Sequence, residues 1–394
     1  MHEMNTWINW ASLAREIDPV YAYHYDPNAY PPGTVSILYL ALTVTGSMDA
    51  ALSIKLLLAA FSILTSAALG IWLRSWIIAY VALTFFWLSS VMLSHLDVLY
   101  VLPLVVALWA LSRDHWMLAS FFFATATLIK WQPLIILPFI LIFLAHEIAH
   151  KSGWGDRVRL LITSIVPGAA VYLITFGVFG FDYILSSING ATLQNMLSGN
   201  SLNLGWIFTL FVTDSPNDMV ASGYTYISET PPWMPVLLRY LFVGLFVLFM
   251  VIFAIMKKSF ITMLVFSLFG VLAYVAFAAG VHQNHLTLAV PIALILAVLA
   301  RPLAYSSALV VVMAAFNLAV FYGFGGQALA PVPQPFNIDL TVWLAGIYVV
   351  AALFVFMIGL LFLWENDRFS RLTGNQDLSP EVSTHKEASD SCAD

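Results

Sequence analysis

Residues 116–145 read WMLASFFFATATLIKWQPLIILPFILIFLA, and this stretch decides how the chain crosses a membrane. Two apolar halves are separated at the centre by Lys130-Trp131-Gln132-Pro133. Because about 20 apolar residues cross the hydrocarbon core of a bilayer, the stretch is either one kinked helix or two short helices. The charges of the loops on either side distinguish the two alternatives.

The chain as a whole has the same character, with 61% hydrophobic and 9% charged residues, against roughly 25% charged in a soluble domain. Such a chain cannot cover a water-facing surface, which excludes a soluble enzyme and predicts an all-α polytopic membrane helix bundle. We predict eleven spans, at about 51–73, 75–93, 97–112, 116–130, 131–145, 158–179, 235–256, 259–280, 285–300, 302–322 and 339–364.

Two short helices within 116–145 place nearly all loop cations on one side, which the bias of Lys and Arg toward cytoplasmic loops makes the cytoplasm. One kinked helix would instead put the 151–159 loop outside. We therefore predict two helices, a multi-pass protein of the plasma (inner) membrane, an outer N-terminus, a cytoplasmic C-terminus and a first helix missing before Met1. The cations are Arg74, Arg113, Lys151, Arg157, Arg159, Lys257, Lys258, Arg301, Arg368 and Arg371.

Three regions follow from this topology. Residues 1–50 form an acidic extracytoplasmic loop with an interfacial helix over Thr34–Thr45, because prolines favour the first turn of a helix. Residues 51–364 form the transmembrane bundle, including an outer cap loop at 180–234, and residues 365–394 form a disordered cytoplasmic tail. The formal charge of −6 comes mostly from that tail, and no basic field suggests nucleic acid.

The first outer loop carries candidate catalytic carboxylates. Asp18 and Asp26 lie in a segment rich in aromatic and proline residues that includes Tyr30. A carboxylate at the membrane surface can act as a general base, because a partly dry setting tunes its pKa. The alternative interpretation is an aromatic-rich interfacial loop.

The other outer turns carry histidines and a further carboxylate. His95 and Asp97 flank the start of a span, where an ionisable group costs a few kcal/mol unless it faces water or a partner. His282 and His285 join two spans and offer donors for a phosphate. Snorkelling and an interfacial polar turn are the respective alternatives, and a His-x-x-His pair alone predicts no metal site.

Two cations lie inside predicted spans. Lys130 sits beside Gln132 at the helix break, and Arg239 follows Pro235 on the outer side. Each could hold the phosphate of an anionic lipid, with snorkelling as the alternative for Arg239. The long outer loop adds Asn203, and its apolar centre, 204–212, favours a cap over a site.

In this order, and on one predicted side, these features resemble the GT-C superfamily of membrane glycosyltransferases. The resemblance is closest to bacterial polyprenyl-phosphate mannosyl- or hexosyltransferases and more distant to dolichyl-phosphate-glucose glucosyltransferases. In the latter an aspartate directly precedes Tyr-Pro-Pro and a His-Glu-Lys turn follows, whereas this chain has Ala29 and Gln283-Asn284. The segments that carry it are Tyr30-Pro31-Pro32, His95-Leu96-Asp97, Lys130-x-Gln132, Asn200-Ser201-Leu202-Asn203-Leu204 and Val281-His282-Gln283-Asn284-His285.

The resemblance implies transfer of a hexose, mannose or glucose, from a polyprenyl-phosphate carrier to a glycan, lipid or protein acceptor, with inversion. Asp26, or else Asp18, would be the base. Membrane lipids are the other expected partners; no cofactor is predicted, and a divalent metal is left open. The competing function is a transporter or lipid-linked saccharide flippase, which the broken helix allows but which the lack of an internal hydropathy repeat disfavours. Donor phosphate binding would fall to Arg239, Lys130, His282 and His285, and substrate binding to His95, Asp97, Tyr30, Gln132 and Asn203.

Overall fold

The structure, a computed structural model, describes residues 2–25, 30–192, 196–211, 224–226, 230–322 and 335–373. Helices dominate it, and the strands form one antiparallel two-stranded ribbon. The α-helices are α1 (His2–Ile17), α2 (Pro19–Tyr25), α3 (Pro32–Thr45), α4 (Ala50–Leu73), α5 (Trp76–Phe86), α6 (Val98–Leu111), α7 (Trp116–Ile129), α8 (Leu137–His150), α9 (Trp154–Phe179), α10 (Phe181–Thr192), α11 (Leu204–Phe208), α12 (Trp233–Ile255), α13 (Phe260–Phe277), α14 (Ala289–Leu299), α15 (Ala304–Tyr322) and α16 (Leu340–Thr373). The strands are β1 (Met196–Gly199) and β2 (Tyr224–Tyr226).

The architecture is a helical bundle of membrane type. Within the described residues, seven helices are long and apolar enough to cross a bilayer, judged by length and composition. Four more of the predicted spans, at 75–93, 97–112, 116–130 and 285–300, are observed as the shorter apolar helices Trp76–Met92, Val98–Leu111, Trp116–Ile129 and Gln283–Leu299. The membrane-bundle class is therefore confirmed, while the count of eleven spans stays a prediction.

The predicted break at Lys130 is present. Helix α7 ends where Lys130 turns to extended backbone, with φ −152° and ψ 140°, and its amide donates to Ala126 O at 3.1 Å. A 3₁₀ turn, Gln132–Ile136, then leads into α8. In a continuous helix the ring of Pro133 would clash with Ile129 O and could not donate a hydrogen bond to it, which accounts for the end of α7 at Ile129.

The N-terminal region is helical over most of its length. Helix α3 begins with Pro32 in its first turn, so the helix predicted over Thr34–Thr45 is observed as Pro32–Thr45. The segment before it, predicted as a loop, forms α1 and α2. Helix α3 packs closely on the end of α7, because Gly33 lies against Leu128 O and the Thr34 hydroxyl donates to Ile129 O.

The segment predicted as a cap packs onto the bundle by backbone pairing. The Gly199 amide donates to Val281 O at 2.9 Å, and Gly280 donates to Leu197 O at 3.3 Å. Asn317 of α15 fastens the same region, accepting from the Leu202 amide at 2.8 Å and donating to Gln283 O at 2.9 Å. The cap strand and the 281–285 turn thus form one unit.

Helix α13 is the centre of the bundle, with 83% of its apolar stretch buried. Phenylalanines pack around it, including Phe266 and Phe269 from α13 itself and Phe139 from α8. Helix α9 is the opposite case, because only 6% of its apolar stretch is buried. Its apolar surface therefore faces the surroundings, where a bilayer would cover it.

Candidate functional site

A sharp elbow positions Asp97. A π-helical turn, Trp87–Met92, follows α5, and Ser94 then adopts a positive φ of 68°. The Ser94 carbonyl accepts from Trp7 Nε1 at 2.9 Å and its hydroxyl from Lys55 Nζ at 2.8 Å. Two side chains from α1 and α4 therefore hold the elbow, which places Asp97 at the start of α6.

Asp97 and Lys130 form a buried ion pair. Lys130 Nζ lies 2.6 Å from Asp97 Oδ1, with side-chain exposures of 6% and 0%. The other carboxylate oxygen, Oδ2, accepts from Asn284 Nδ2 at 3.0 Å. The start of α6, the end of α7 and the 3₁₀ turn Gln283–Leu288 meet at this point, called here the site end of the bundle.

Burying these charges is costly. Each ion loses several kcal/mol of hydration, which the pair recovers only with good geometry and additional hydrogen bonds. The Asn284 amide supplies such a bond to Asp97. A pair of this kind adds little net stability, yet removing either partner leaves an uncompensated charge.

Aromatic rings form one wall of the site. The ring centroid of Tyr30 lies 5.4 Å from Lys130 Nζ, a cation–π arrangement. Trp7 and Trp10 of α1 pack edge-on against Tyr30, with centroids at 5.3 and 5.8 Å. Tyr100, one turn into α6, is fully buried. The N-terminal helices thus shield the ion pair from water.

The histidine turn lies next to Asn284. His285 Nδ1 accepts from the His282 amide at 3.3 Å and lies 3.0 Å from the Tyr274 hydroxyl. With Nδ1 accepting from His282, a neutral His285 carries its proton on Nε2. The His282 and His285 ring centroids are 5.3 Å apart. The geometry shows a well-anchored turn that presents Asn284 to Asp97.

Some polar atoms near the pair remain without partners. Within the part of the chain that the structure describes, Asn284 Oδ1, the Tyr100 hydroxyl and Gln132 Oε1 are inaccessible and make no hydrogen bond. A buried polar atom without a partner costs about 1–3 kcal/mol. Such atoms commonly mark a place where a ligand or water supplies the missing contact.

Ser187 of α10 joins the cap to the site. Its hydroxyl donates to Tyr30 O at 2.7 Å and accepts from Trp131 Nε1 at 3.0 Å, directly beside Lys130. Tyr23 of α2 packs on Phe179 in the same layer, and burial raises its pKa to about 12. The first N-terminal segment, the helix break and the cap are therefore one connected structure.

The structure brings some predicted site residues together and places others elsewhere. Lys130 contacts both Asp97 and Tyr30, and His282 and His285 lie in the adjoining turn. Two further predicted residues are buried: His95 in the elbow, and Asn203, which caps α11 through the Trp206 amide at 2.8 Å.

Two predicted charged residues lie on the surface. Arg239 is exposed on α12. Asp18 is exposed with a φ of 93°, and its Oδ1 accepts from the Val20 amide at 2.8 Å at the start of α2, which gives it a structural use. Asp26 lies outside the described residues, as do the loop acids Asp214, Asp218 and Glu229.

Sequence reasoning missed three residues that shape the site. Asn284 lies in the 281–285 turn but carries no predicted role in the site, although an amide is a natural second partner for a buried carboxylate. Tyr100 and Lys55 carried no signal, because a tyrosine and a lysine near the end of an apolar helix usually mark the membrane interface. Among the described residues, no three His, Cys, Asp or Glu side chains group in a way that could hold a metal ion.

Comparison with known proteins adds no assignment. Neither a scan against models of protein families nor a search of curated proteins found a match to this chain.

Proposed function

We propose that this chain is an integral membrane hexosyltransferase of the inner membrane. It moves a hexose, mannose or glucose, from a polyprenyl-phosphate carrier to an extracytoplasmic acceptor. The observation that carries the proposal is the buried Lys130–Asp97 pair at a helix break, beside buried polar atoms that make no hydrogen bond within the described residues. A buried ionisable pair in a membrane bundle is costly, so it commonly marks a functional site.

Lys130 is the group we assign to the donor phosphate. An ammonium carries three donors, and Asp97 Oδ1 accepts from it at 2.6 Å and so orients the group from one side. When the acceptor oxygen attacks the sugar C1, the bond from C1 to the phosphate oxygen breaks. The electron pair stays on the phosphate, where Lys130 stabilises the developing charge. The displacement inverts the configuration at C1.

The proton of the acceptor hydroxyl needs a separate base. Asp97 is poorly suited, because both of its carboxylate oxygens already accept hydrogen bonds, one from Lys130 and the other from Asn284. Asp18 caps α2, which leaves Asp26 as our assignment. Asp26 precedes Tyr30 by four residues in the sequence, and Tyr30 contacts Lys130.

The test is a transfer assay in membranes with radiolabelled polyprenyl-phosphate hexose and lipid or peptide acceptors. We expect Asp26→Asn to lower kcat by a factor of about 10²–10⁴, the usual contribution of a general base. Asp18→Asn is the matched control and should retain activity. Equal loss or equal retention of transfer in the two variants would reject the base assignment, and no transfer by the wild-type protein from any such donor would reject the enzyme.

A transporter is the second candidate, favoured by one observation. Helices α7 and α8 are two halves interrupted at Lys130, as in the broken helices that bind transported solutes. Uptake of the lipid-free sugar phosphate or the flipping of a fluorescent lipid-linked saccharide in proteoliposomes would support it. Transfer to an acceptor without any vectorial movement would support the enzyme.

A further inference from the structure

An apolar groove runs along α7 on the side facing α9. Its cavity measures about 220 Å³ and is lined from α6, α7, α8 and α9. The hydroxyls along it already have partners within the protein: Ser120 Oγ accepts from the Gly168 amide at 3.0 Å, and Ser164 Oγ donates to Leu160 O at 2.8 Å. The groove walls are therefore mostly apolar, and the polar atoms named here already have partners within the protein. Such a surface suits an acyl chain, which can make only apolar contacts.

The groove is closed toward the site end. Tyr172 lines it there, and its hydroxyl lies 2.5 Å from that of Thr127. Toward the other end of α7 the groove meets a second, open cavity of about 810 Å³, and Trp116 lines both. An occupant with a polar head would thus carry that head at the end of the bundle remote from Lys130.

The second cavity carries both signs of charge. Asp114 and Asp156 line it together with Lys151 and Arg159. All four side chains are exposed, and no ion pair joins them in the part of the chain that the structure describes. Trp109 and Trp116 flank them, as tryptophans do at the level of lipid headgroups.

We propose that the groove and this cavity together bind one phospholipid with a zwitterionic, amine-bearing headgroup, of the phosphatidylethanolamine type. One acyl chain lies in the groove. The lipid phosphate meets Lys151 and Arg159, and its primary ammonium donates to Asp114 and Asp156. A quaternary ammonium has no N–H to donate, and a glycerol headgroup has no cation, so both fit less well. The site is independent of the proposed sugar transfer.

The first experiment measures lipid binding to the full-length protein by native mass spectrometry, with phosphatidylethanolamine, phosphatidylcholine, phosphatidylglycerol and polyprenyl phosphate titrated separately. We expect one phosphatidylethanolamine bound at least about fivefold more tightly than the other three, or about 1 kcal/mol. Equal binding of the three phospholipids, or preferential retention of polyprenyl phosphate, would overturn the proposal.

Groove-filling variants test the acyl-chain position. Ala169→Phe, on the α9 wall, should weaken phosphatidylethanolamine binding by about fivefold or more. Ala170→Phe, one residue on and outside the lining, is the matched control. Leu141→Trp fills the groove from the α8 side and serves if Ala169→Phe does not fold, as judged by thermal unfolding. Unchanged phosphatidylethanolamine binding in a folded groove-filling variant would show that the acyl chain does not lie in the groove.

Charge variants test the headgroup. Asp114→Asn/Asp156→Asn should reduce phosphatidylethanolamine binding to the level of phosphatidylcholine and leave phosphatidylcholine unaffected. Lys151→Gln/Arg159→Gln should weaken the binding of phosphatidylethanolamine and of phosphatidylcholine alike, because the two lipids share the phosphate group. A preference for phosphatidylethanolamine that survives the loss of both carboxylates would contradict the ammonium contact.

Discussion

At the scale of single residues, the Asp97–Lys130 pair is the feature whose burial costs hydration free energy and whose disruption should destabilise the protein. Both side chains are almost fully buried, and each is the other's charge partner at 2.6 Å. Asn284 completes the arrangement. A neutral pair of similar shape would avoid most of the hydration cost, so the charges point to a use beyond stability.

Removing one charge of the pair should be more harmful than removing both. We expect Lys130→Met or Asp97→Asn alone to lower the free energy of unfolding by roughly 3–5 kcal/mol, because the remaining ion is buried without compensation. The double variant should lose less than the sum while remaining inactive in transfer. Unfolding in detergent by heat measures this, with exposed Arg113→Met as the control. Additive losses would show that the two charges do not interact.

Burial of Tyr23 should make the folded protein less stable at alkaline pH. The pKa of Tyr23 is raised to about 12 by burial, so the folded state favours the neutral phenol. The stabilisation is complete below the ordinary pKa of about 10 and disappears between about pH 10 and 12, a loss of roughly 2–3 kcal/mol. Tyr23→Phe should reduce the fall in thermal midpoint over that window. Tyr25→Phe, at a position 80% exposed, should not; equal effects would contradict the assignment.

At the scale of elements, the docking of α3 on α7 shows how the N-terminal region reaches the helix break. Gly33 allows the two backbones to touch, and Thr34 donates to the last residue of α7. Tyr30, two residues before α3, then lies over Lys130. The position of the aromatic wall therefore depends on one close helix contact.

A methyl group at Gly33 should push α3 away. A Cβ there would lie 2.4 Å from Leu128 O, a backbone atom that cannot rotate aside. We expect Gly33→Ala to destabilise the protein by about 1–3 kcal/mol and to weaken transfer by displacing Tyr30. At Gly244, where no atom lies within 4 Å, alanine should be neutral or stabilising by up to about 1 kcal/mol. Thermal midpoints compare the two, and equal shifts would refute the close contact.

Elements built on long apolar runs were predictable, and those built on tertiary contacts were not. Hydropathy located the helix containing 51–73, observed as Ala50–Leu73, and Pro133 located the break. Helix α1 mixes polar and charged residues with its apolar ones, so no apolar run marks it, and its stability comes from packing on α3 and α4. The π-helical turn before Ser94 has no sequence signature.

The site was predictable only as a set of separate candidates. Asp97 and Lys130 were both singled out, but the residues are 33 apart in sequence and no local pattern pairs them. Asn284 is 187 residues from its partner. Contacts at such separations depend on how helices pack, which hydrophobic periodicity does not specify. The same limit explains why Asp18, an acid in the expected segment, proved to be a helix cap.

At the scale of the whole molecule, the polar segments gather at one end. The 281–285 turn, the elbow at Ser94, the cap and the first three helices all meet around Lys130. The loops rich in Lys and Arg join the opposite ends of the helices, as at Arg74 and Arg113. The two ends of the bundle therefore differ in chemistry, and insertion in a membrane would place them on opposite sides.

Cysteine labelling can measure on which side each end lies, because Cys392 is the one cysteine of the chain. In intact cells, a membrane-impermeant maleimide should leave Cys392 unmodified until the membrane is permeabilised, since cytoplasmic loops carry the excess of Lys and Arg. In a Cys392→Ser background, Ser47→Cys should label from outside and Ser152→Cys only after permeabilisation; both positions are exposed. Labelling of Ser152→Cys in intact cells would invert the topology.

The Ser187 hydroxyl couples the position of α10 to the two segments beside Lys130. It is bound at once to Tyr30 O and to Trp131 Nε1, so α10 cannot lift without releasing residues on both sides of the site. A displacement of α10 would therefore free the Tyr30 carbonyl and the Trp131 indole together, and Trp131 directly follows Lys130.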